Sequence, residues 1–204
     1  MANRDVYISL DIETDGPIPG PSGWGYSMLS LGACVAGWMD DDHGYVRVPP
    51  DVDTFYVELR PISEDIVPQS LEVCEAALSM PRSALIEHGR DPGVGMQEFV
   101  DWVEAAEAEH SGRAVAVGWP SSWDFGTWVF WYLQRFVGSS PFSHGQHRDI
   151  RDVFAARHGV PIRGLSKSSL PVSVRPSRRH SHNALDDAVE QAELFANVMA
   201  DASL

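Results

Sequence analysis

The stretch VYISLDIETDGP, residues 6–17, decides the fold. Val6, Ile8, Leu10 and Ile12 alternate with Tyr7, Ser9, Asp11 and Glu13. That is the two-residue period of a strand with one apolar face. The strand ends in Asp11, Glu13 and Asp15, an awkward place for so much negative charge. Residues two apart on a strand point to the same side, so Asp11 and Glu13 are neighbours. Carboxylates held that close raise each other's pKa unless a cation or a donor intervenes. A hard divalent ion with oxygen ligands is one resolution, and a solvated strand end is the other.

Working outward, DGPIPGPSGWG (15–25) is a Gly/Pro loop and YSMLSLGACVAGW (26–38) reads as a long strand. An acidic turn, DDDHG, and a third strand, TFYVELRP (54–61), suggest an antiparallel meander. SLEVCEAALS and MQEFVDWVEAAEAEH space their apolar residues as helices do, and AVAVGW (114–119) is a short buried strand. WDFGTWVFWYLQRF (123–136) is a strongly apolar helix, and HRDIRDVFAARHG (147–159) suits a short strand or a helix. Residues 160–182 form a Pro/Ser-rich loop. A C-terminal amphipathic helix follows, with Asn183 as its N-cap and Leu185, Ala188, Ala192, Phe195 and Met199 on its apolar face. Strands first, then helices mixed with short strands, predict an α/β fold with a mixed sheet flanked by helices. A chain of 204 residues is expected to form a single domain, 1–204.

The net charge of −14 argues against generic, charge-driven nucleic-acid binding, because phosphates are repelled over most of such a surface. Residues 160–182 are the exception, with five basic residues (Arg163, Lys167, Arg175, Arg178, Arg179) and no acid. No apolar run is long enough to span a bilayer, and no secretory leader is visible. Two cysteines, Cys34 and Cys74, in such a chain fit a reducing, cytoplasmic location.

Further acids follow at intervals. Asp124 comes just after a buried strand and opens a helix, where an Asp also serves to complement the helix dipole. HSHNALDDA (180–188) sets His182 before the last helix, with Asp186 and Asp187 in its first turn. Such a group is equally a capping cluster, and residues about 100° apart on a helix leave Asp186 and Asp187 undecided.

Taken together, LDIETDG, WDF and HNALDDA resemble the DEDDh family of 3′→5′ exonucleases, which includes ribonuclease T, oligoribonuclease and polymerase proofreading subunits. Asp11-x-Glu13, Trp123-Asp124, and His182 five residues before Asp187-Ala188 match its motifs, and the resemblance spans residues 6 to about 199. It implies a ribonuclease-H-like fold, with Asp11, Glu13, Asp124 and Asp187 holding two Mg²⁺ or Mn²⁺ ions and His182 as general base. Family spacing selects Asp187 over Asp186. The implied reaction is stepwise hydrolysis from the 3′ end of single-stranded nucleic acid, RNA favoured over DNA, releasing nucleoside 5′-monophosphates. The flavour is closest to ribonuclease-T-like exoribonucleases.

There are departures. Trp119-Pro120 stand where many relatives carry His-Asn, and TDGPIPG replaces the usual stretch after Asp-x-Glu. Met28 and Leu29, ahead of Ile18 and Trp24, are candidates for the apolar wedge against the terminal base. Phe125 and Trp128 are candidates for base stacking, against a role in the core. Arg178 and Arg179, with Arg175, are placed to meet phosphates. His144, His147, His158 and His180 read as bystanders, and Asp149 and Asp152 as structural. The aromatics of 123–136 would permit a homodimer. An endonuclease of the same fold has no need of His182, and a non-catalytic nucleic-acid-binding module has no use for carboxylates that repel phosphate.

Overall fold

Alternation along β1 (Asp5–Thr14) has the expected consequence in the computed structural model, which describes residues 4–20 and 25–201. Val6, Ile8, Leu10 and Ile12 enter the larger core, whereas Tyr7 joins a second core on the opposite face of the sheet. Beside β1 runs β2 (Met28–Asp40), antiparallel, with Asp11 opposite Gly32.

The expected meander is instead a fork. β3 (Gly44–Arg47) pairs with residues 37–40 of β2, and β4 (Thr54–Glu58) pairs with residues 30–34 of that same strand. Thirteen residues make β2 long enough for both. Pro49 and Pro50 lack the N–H a ladder needs, so the chain leaves β2 after β3 and rejoins it further along. Parallel pairing then extends the sheet through β5 (Arg113–Gly118) on β1 and β6 (His147–Asp149) on β5. The order is β3-β2-β1-β5-β6, with β4 on β2, which is the mixed sheet expected.

Helices α1 (Pro68–Glu75), α2 (Arg82–His88) and α3 (Pro92–His110) follow β4. One turn of α2 beyond a single repeat is too little for periodicity to reveal, and sequence reading passes over it. The apolar 122–137 helix is wound wide, with π-type turns over Ser122–Val129 and Leu133–Val137 on either side of a single α turn, α4 (Phe130–Tyr132). Phe99 and Val103 of α3 and Trp128 and Tyr132 of this helix fill the larger core. The 147–159 segment is both strand and helix: β6 leads into α5 (Ile150–His158), whose first turn is capped by the Asp149 carboxylate accepting from the Arg151 N–H at 2.9 Å. Residues 160–182 are loop apart from one 3₁₀ turn, Lys167–Ser169.

The C-terminal helix α6 (Ala184–Ala200) lies across β1 and β2. A Cβ on Gly32 would stand 2.3 Å from the backbone of Ala184 and Leu185, so only glycine lets the helix come this close. Ser9 Oγ donates to the Ala188 carbonyl at 2.8 Å and ties the second turn to β1. Asn183 caps the helix as expected, accepting from the N–H groups of Leu185 and Asp186 at 3.1 and 3.2 Å. Among the described residues no helix is long and apolar enough to cross a membrane.

Candidate active site

The C-terminal end of β1 presents Asp11 and Glu13 on the face covered by α6, and the close seat on Gly32 brings Asp187 down to them. Carboxylate oxygens of Asp11, Glu13 and Asp187 lie within 4.8 Å of one another. Asp124, buried in the first turns of the helix after β5, sits beside this group, and its charge is felt at both Asp11 and Glu13. Asp186 is exposed, and its carboxylate accepts from Ser181 Oγ at 3.3 Å. Asp15, the third acid of the opening stretch, has a separate task. It is buried, accepting from the Ser27 N–H at 2.5 Å and from Arg82 at 2.7 Å, and so pins the loop to β2.

Charge crowding shows in the titration of these groups. Burial, then repulsion from Asp124, Glu13 and Asp187, pushes Asp11 well above the usual carboxylate range. Burial and the charges of Asp187 and Asp124 raise Glu13 to about 8. Burial raises Asp124 to about 8 as well. The Lys167 ammonium, which is paired with the buried Glu190, pulls downward at both Asp11 and Asp124. Asp187 is different. Burial alone would raise it, yet His180, the Ser181 N–H and the His182 N–H together hold it below its ordinary value. Its two oxygens accept from Ser181 N–H at 2.8 Å, from His182 N–H at 2.9 Å and from His180 Nδ1 at 2.9 Å.

Asp124 Oδ2 is buried with no hydrogen-bond partner among the described residues. A buried, unpaired carboxylate oxygen with other carboxylates nearby is costly unless a cation lies against it. An all-oxygen donor set of this kind suits a hard divalent ion. These acidic residues can therefore hold divalent metal.

The structure also supplies groups that sequence reading missed. Gln191, one turn past Asp187, accepts the Trp119 N–H on Oε1 at 2.5 Å. A backbone N–H can only donate, so the amide must turn its Nε2 the other way, where it donates to Asp11 Oδ1 at 2.6 Å. Trp119, the first residue of the Trp119-Pro120 pair, thus steers Asp11 through Gln191. His180 is no bystander, since it is paired with Asp187. Its i+7 relation to Asp187 lies across a loop, and no periodicity connects them. His182 has a left-handed backbone, φ 60°, and its ring packs edge-on to that of His180 at 4.4 Å.

Several sequence expectations meet a closed surface. Met28 and Leu29 are fully buried, and the Met28 N–H is bonded to the Tyr132 hydroxyl at 2.7 Å. Phe125 and Trp128 are buried too, in the larger core, because the apolar side of the 122–137 helix faces inward. As a correction, none of these side chains offers a face to a base here. Ile18 is exposed, and Trp24 lies outside the described residues. The exposed aromatic beside Asp124 is Trp123, which leans edge-on against Trp128. Arg175 spends its guanidinium on the carbonyls of Leu170 and Ser168, both at 2.7 Å, and so braces its own loop. Arg178 and Arg179 are exposed, Arg178 lying 3.5 Å from Asp51.

Comparison with known proteins bears on this constellation. No family model matches the chain. The 3′-5′ DNA exonuclease Cap18 of Escherichia coli is 34% identical over 193 residues, covering 95% of this chain and 91% of that protein. The chain belongs to the DEDDh 3′→5′ exonuclease family. The fold agrees. The nuclease domain of 3′hExo, a DEDDh family member bound to rAMP, superposes with a TM-score of 0.65 at 12% identity, covering 98% of this chain and 94% of that one. A 3′-exonuclease that recognises the 3′ end of a histone mRNA stem-loop gives 0.67 at 12% identity, covering 98% and 65%. The mixed sheet with its flanking helices is thus the ribonuclease-H-like fold of DEDDh nucleases, and this DEDDh protein is a 3′→5′ exonuclease acting on nucleic acid.

Proposed function

We propose that the chain forms one exonuclease domain that removes nucleoside 5′-monophosphates from the 3′ end of single-stranded nucleic acid by metal-dependent hydrolysis. The observation that carries this reading is the convergence of Asp11, Glu13 and Asp187 beside the unpartnered oxygen of Asp124, next to an exposed loop histidine. Mg²⁺ or Mn²⁺ ions held as a pair by Asp11, Glu13, Asp124 and Asp187 would supply neutralisation of the phosphate and a more acidic attacking water. His182 would accept the proton from the attacking water as general base. Its backbone N–H, bonded to Asp187, keeps it beside the carboxylates. Gln191 orients Asp11, and Lys167 with Glu190 tempers the negative field at Asp11 and Asp124. Trp123 stacks on a base near the 3′ end, and Arg178 and Arg179 receive the phosphates that the acidic body repels.

Resemblance alone favours RNA. The name of the Escherichia coli relative speaks for DNA, and the likeness to it covers nearly the whole chain. We therefore propose single-stranded DNA as the principal substrate. The test uses 3′- and 5′-labelled single-stranded DNA and RNA with Mn²⁺, Mg²⁺ or EDTA, on the wild type, Asp11→Ala and His182→Ala. Stepwise, metal-dependent shortening from the 3′ end, faster on DNA and lost in both variants, is expected. Internal cuts would make it an endonuclease, and activity equal in wild type and His182→Ala would remove the general base.

A further inference from the structure

We propose that His180, His182 and Asp187 form an inhibitory cation site, overlapping the catalytic one, that takes a borderline metal such as Zn²⁺ or Ni²⁺. Ligand atoms of these three residues lie within 4.8 Å of one another. His180 Nδ1 stands 2.9 Å from Asp187 Oδ2, and the two imidazole rings are 4.4 Å apart at 74°. Two imidazoles and one carboxylate suit zinc or nickel far better than magnesium, which prefers oxygen ligands alone. Ligands at about 2.0–2.2 Å from one ion lie up to about 4 Å apart, so the site closes with a shift of about an ångström. Both histidines are exposed and on a loop, which leaves them free to make that shift and leaves room for water on the ion. The Ser181 and His182 N–H groups continue to hold Asp187 when His180 turns from hydrogen-bond partner to ligand, as outer partners of a metal-bound carboxylate do.

The consequence follows from which residues are shared. One ion takes Asp187 from the Mg²⁺ or Mn²⁺ site and His182 from proton transfer. This inhibition rests on the nuclease reading above, whereas the binding itself does not.

Zn²⁺ titration calorimetry in excess Mg²⁺ tests the site on the wild type, on Asp11→Ala/Glu13→Ala and on His180→Gln. One Zn²⁺ is expected to bind to the wild type and to the double variant, and at least tenfold more weakly to His180→Gln. Imidazole ¹⁵N resonances of the wild type provide a readout independent of any variant: those of His180 and His182 should move with Zn²⁺ while those of His144 and His88 stay. Equal Zn²⁺ affinity in wild type and His180→Gln would overturn the proposal. So would loss of binding in the double variant, which would place the ion on the carboxylates, or unmoved His180 and His182 resonances. Zn²⁺ should halt the Mn²⁺-dependent exonuclease of the wild type. A protein that binds Zn²⁺ as described but never shortens a strand would instead defeat the nuclease reading and leave the site standing.

Discussion

Asp124 and Asp187 are both closed to solvent, at 4% and 0% exposure, but Asp124 is enclosed by more of the protein, and their protons are held in opposite directions. Asp124 rises to about 8 and keeps one oxygen without a partner among the described residues. Asp187 falls below its usual value because two backbone N–H groups and His180 converge on it. Depth of burial and the number of donors aimed at a carboxylate decide its charge together. One acid, in the first turn of α6, is held as an anion by donors from the loop before it, and the other has an oxygen open to a cation.

The largest expected effect separates the two. Asp124→Asn and Asp187→Asn should each cut exonuclease rate by about a thousandfold or more, since each removes a carboxylate proposed to hold metal, a contribution of several kcal/mol. Stability without metal should split. In EDTA at pH 9, Asp124→Asn should leave the melting temperature unchanged or higher, because it removes an unpaired buried charge. Asp187→Asn should cost about 1–3 kcal/mol by leaving buried donors unmatched. Shifts of the same sign in thermal denaturation would end the comparison.

Acidity offers a second test. Glu13 and Asp124 have folded pKa values above their unfolded ones, so the native state binds more protons than the unfolded chain between about pH 4 and 8. Metal-free stability should therefore fall as pH rises through that window, by a smaller amount in Asp124→Asn. Asp187 acts in the opposite sense: its contribution is present above its unfolded pKa near 4 and is lost as pH falls through the lower folded value. A melting temperature in EDTA that climbs from pH 5 to 8 would contradict this assignment. Added Mg²⁺ or Mn²⁺ should raise it more at pH 8 than at pH 5.

Smaller effects sharpen how each acid is held. Gly32→Ala should push α6 off β2 and move Asp187, and a misplacement of an ångström costs roughly a hundredfold in rate. Retained secondary structure by circular dichroism would show that position, rather than folding, is lost. Gln191→Leu removes the donor to Asp11 and should weaken Mn²⁺ binding by about 10–100-fold, read by calorimetry. Trp123→Ala should raise KM for single-stranded DNA by about tenfold with kcat little changed, matching the loss of one stacking contact. An unchanged KM would remove Trp123 from the substrate path.

Much of this was legible before any coordinates. Alternation along 6–13, the cap at Asn183, the buried run at 114–118 and the order of the motifs follow from short-range rules, and each element formed where those rules put it. Where reading went astray, a distant contact overruled a local pattern. Phe125 and Trp128 could be read as stacking or as core residues, and the helix turns that side inward, into the core, and leaves Trp123 outside. The meander became a fork because β2 is long enough to serve two partners. His180 looked idle because its partner is seven residues away across a left-handed turn.

The sequence by itself determined which chemistry is available: two acids on one strand face, a third after a buried strand, and a histidine five residues before a fourth. Spacing along one strand or one helix fixes direction, and residue type fixes charge. Only the tertiary structure decided what state those acids are in. Gly32 sets how near α6 comes, Gln191 carries Trp119's influence to Asp11, and the loop before α6 supplies Asp187 with the donors that Asp124 lacks. Those are interactions between segments far apart in the chain, and the free energy of a buried charge depends on just such neighbours.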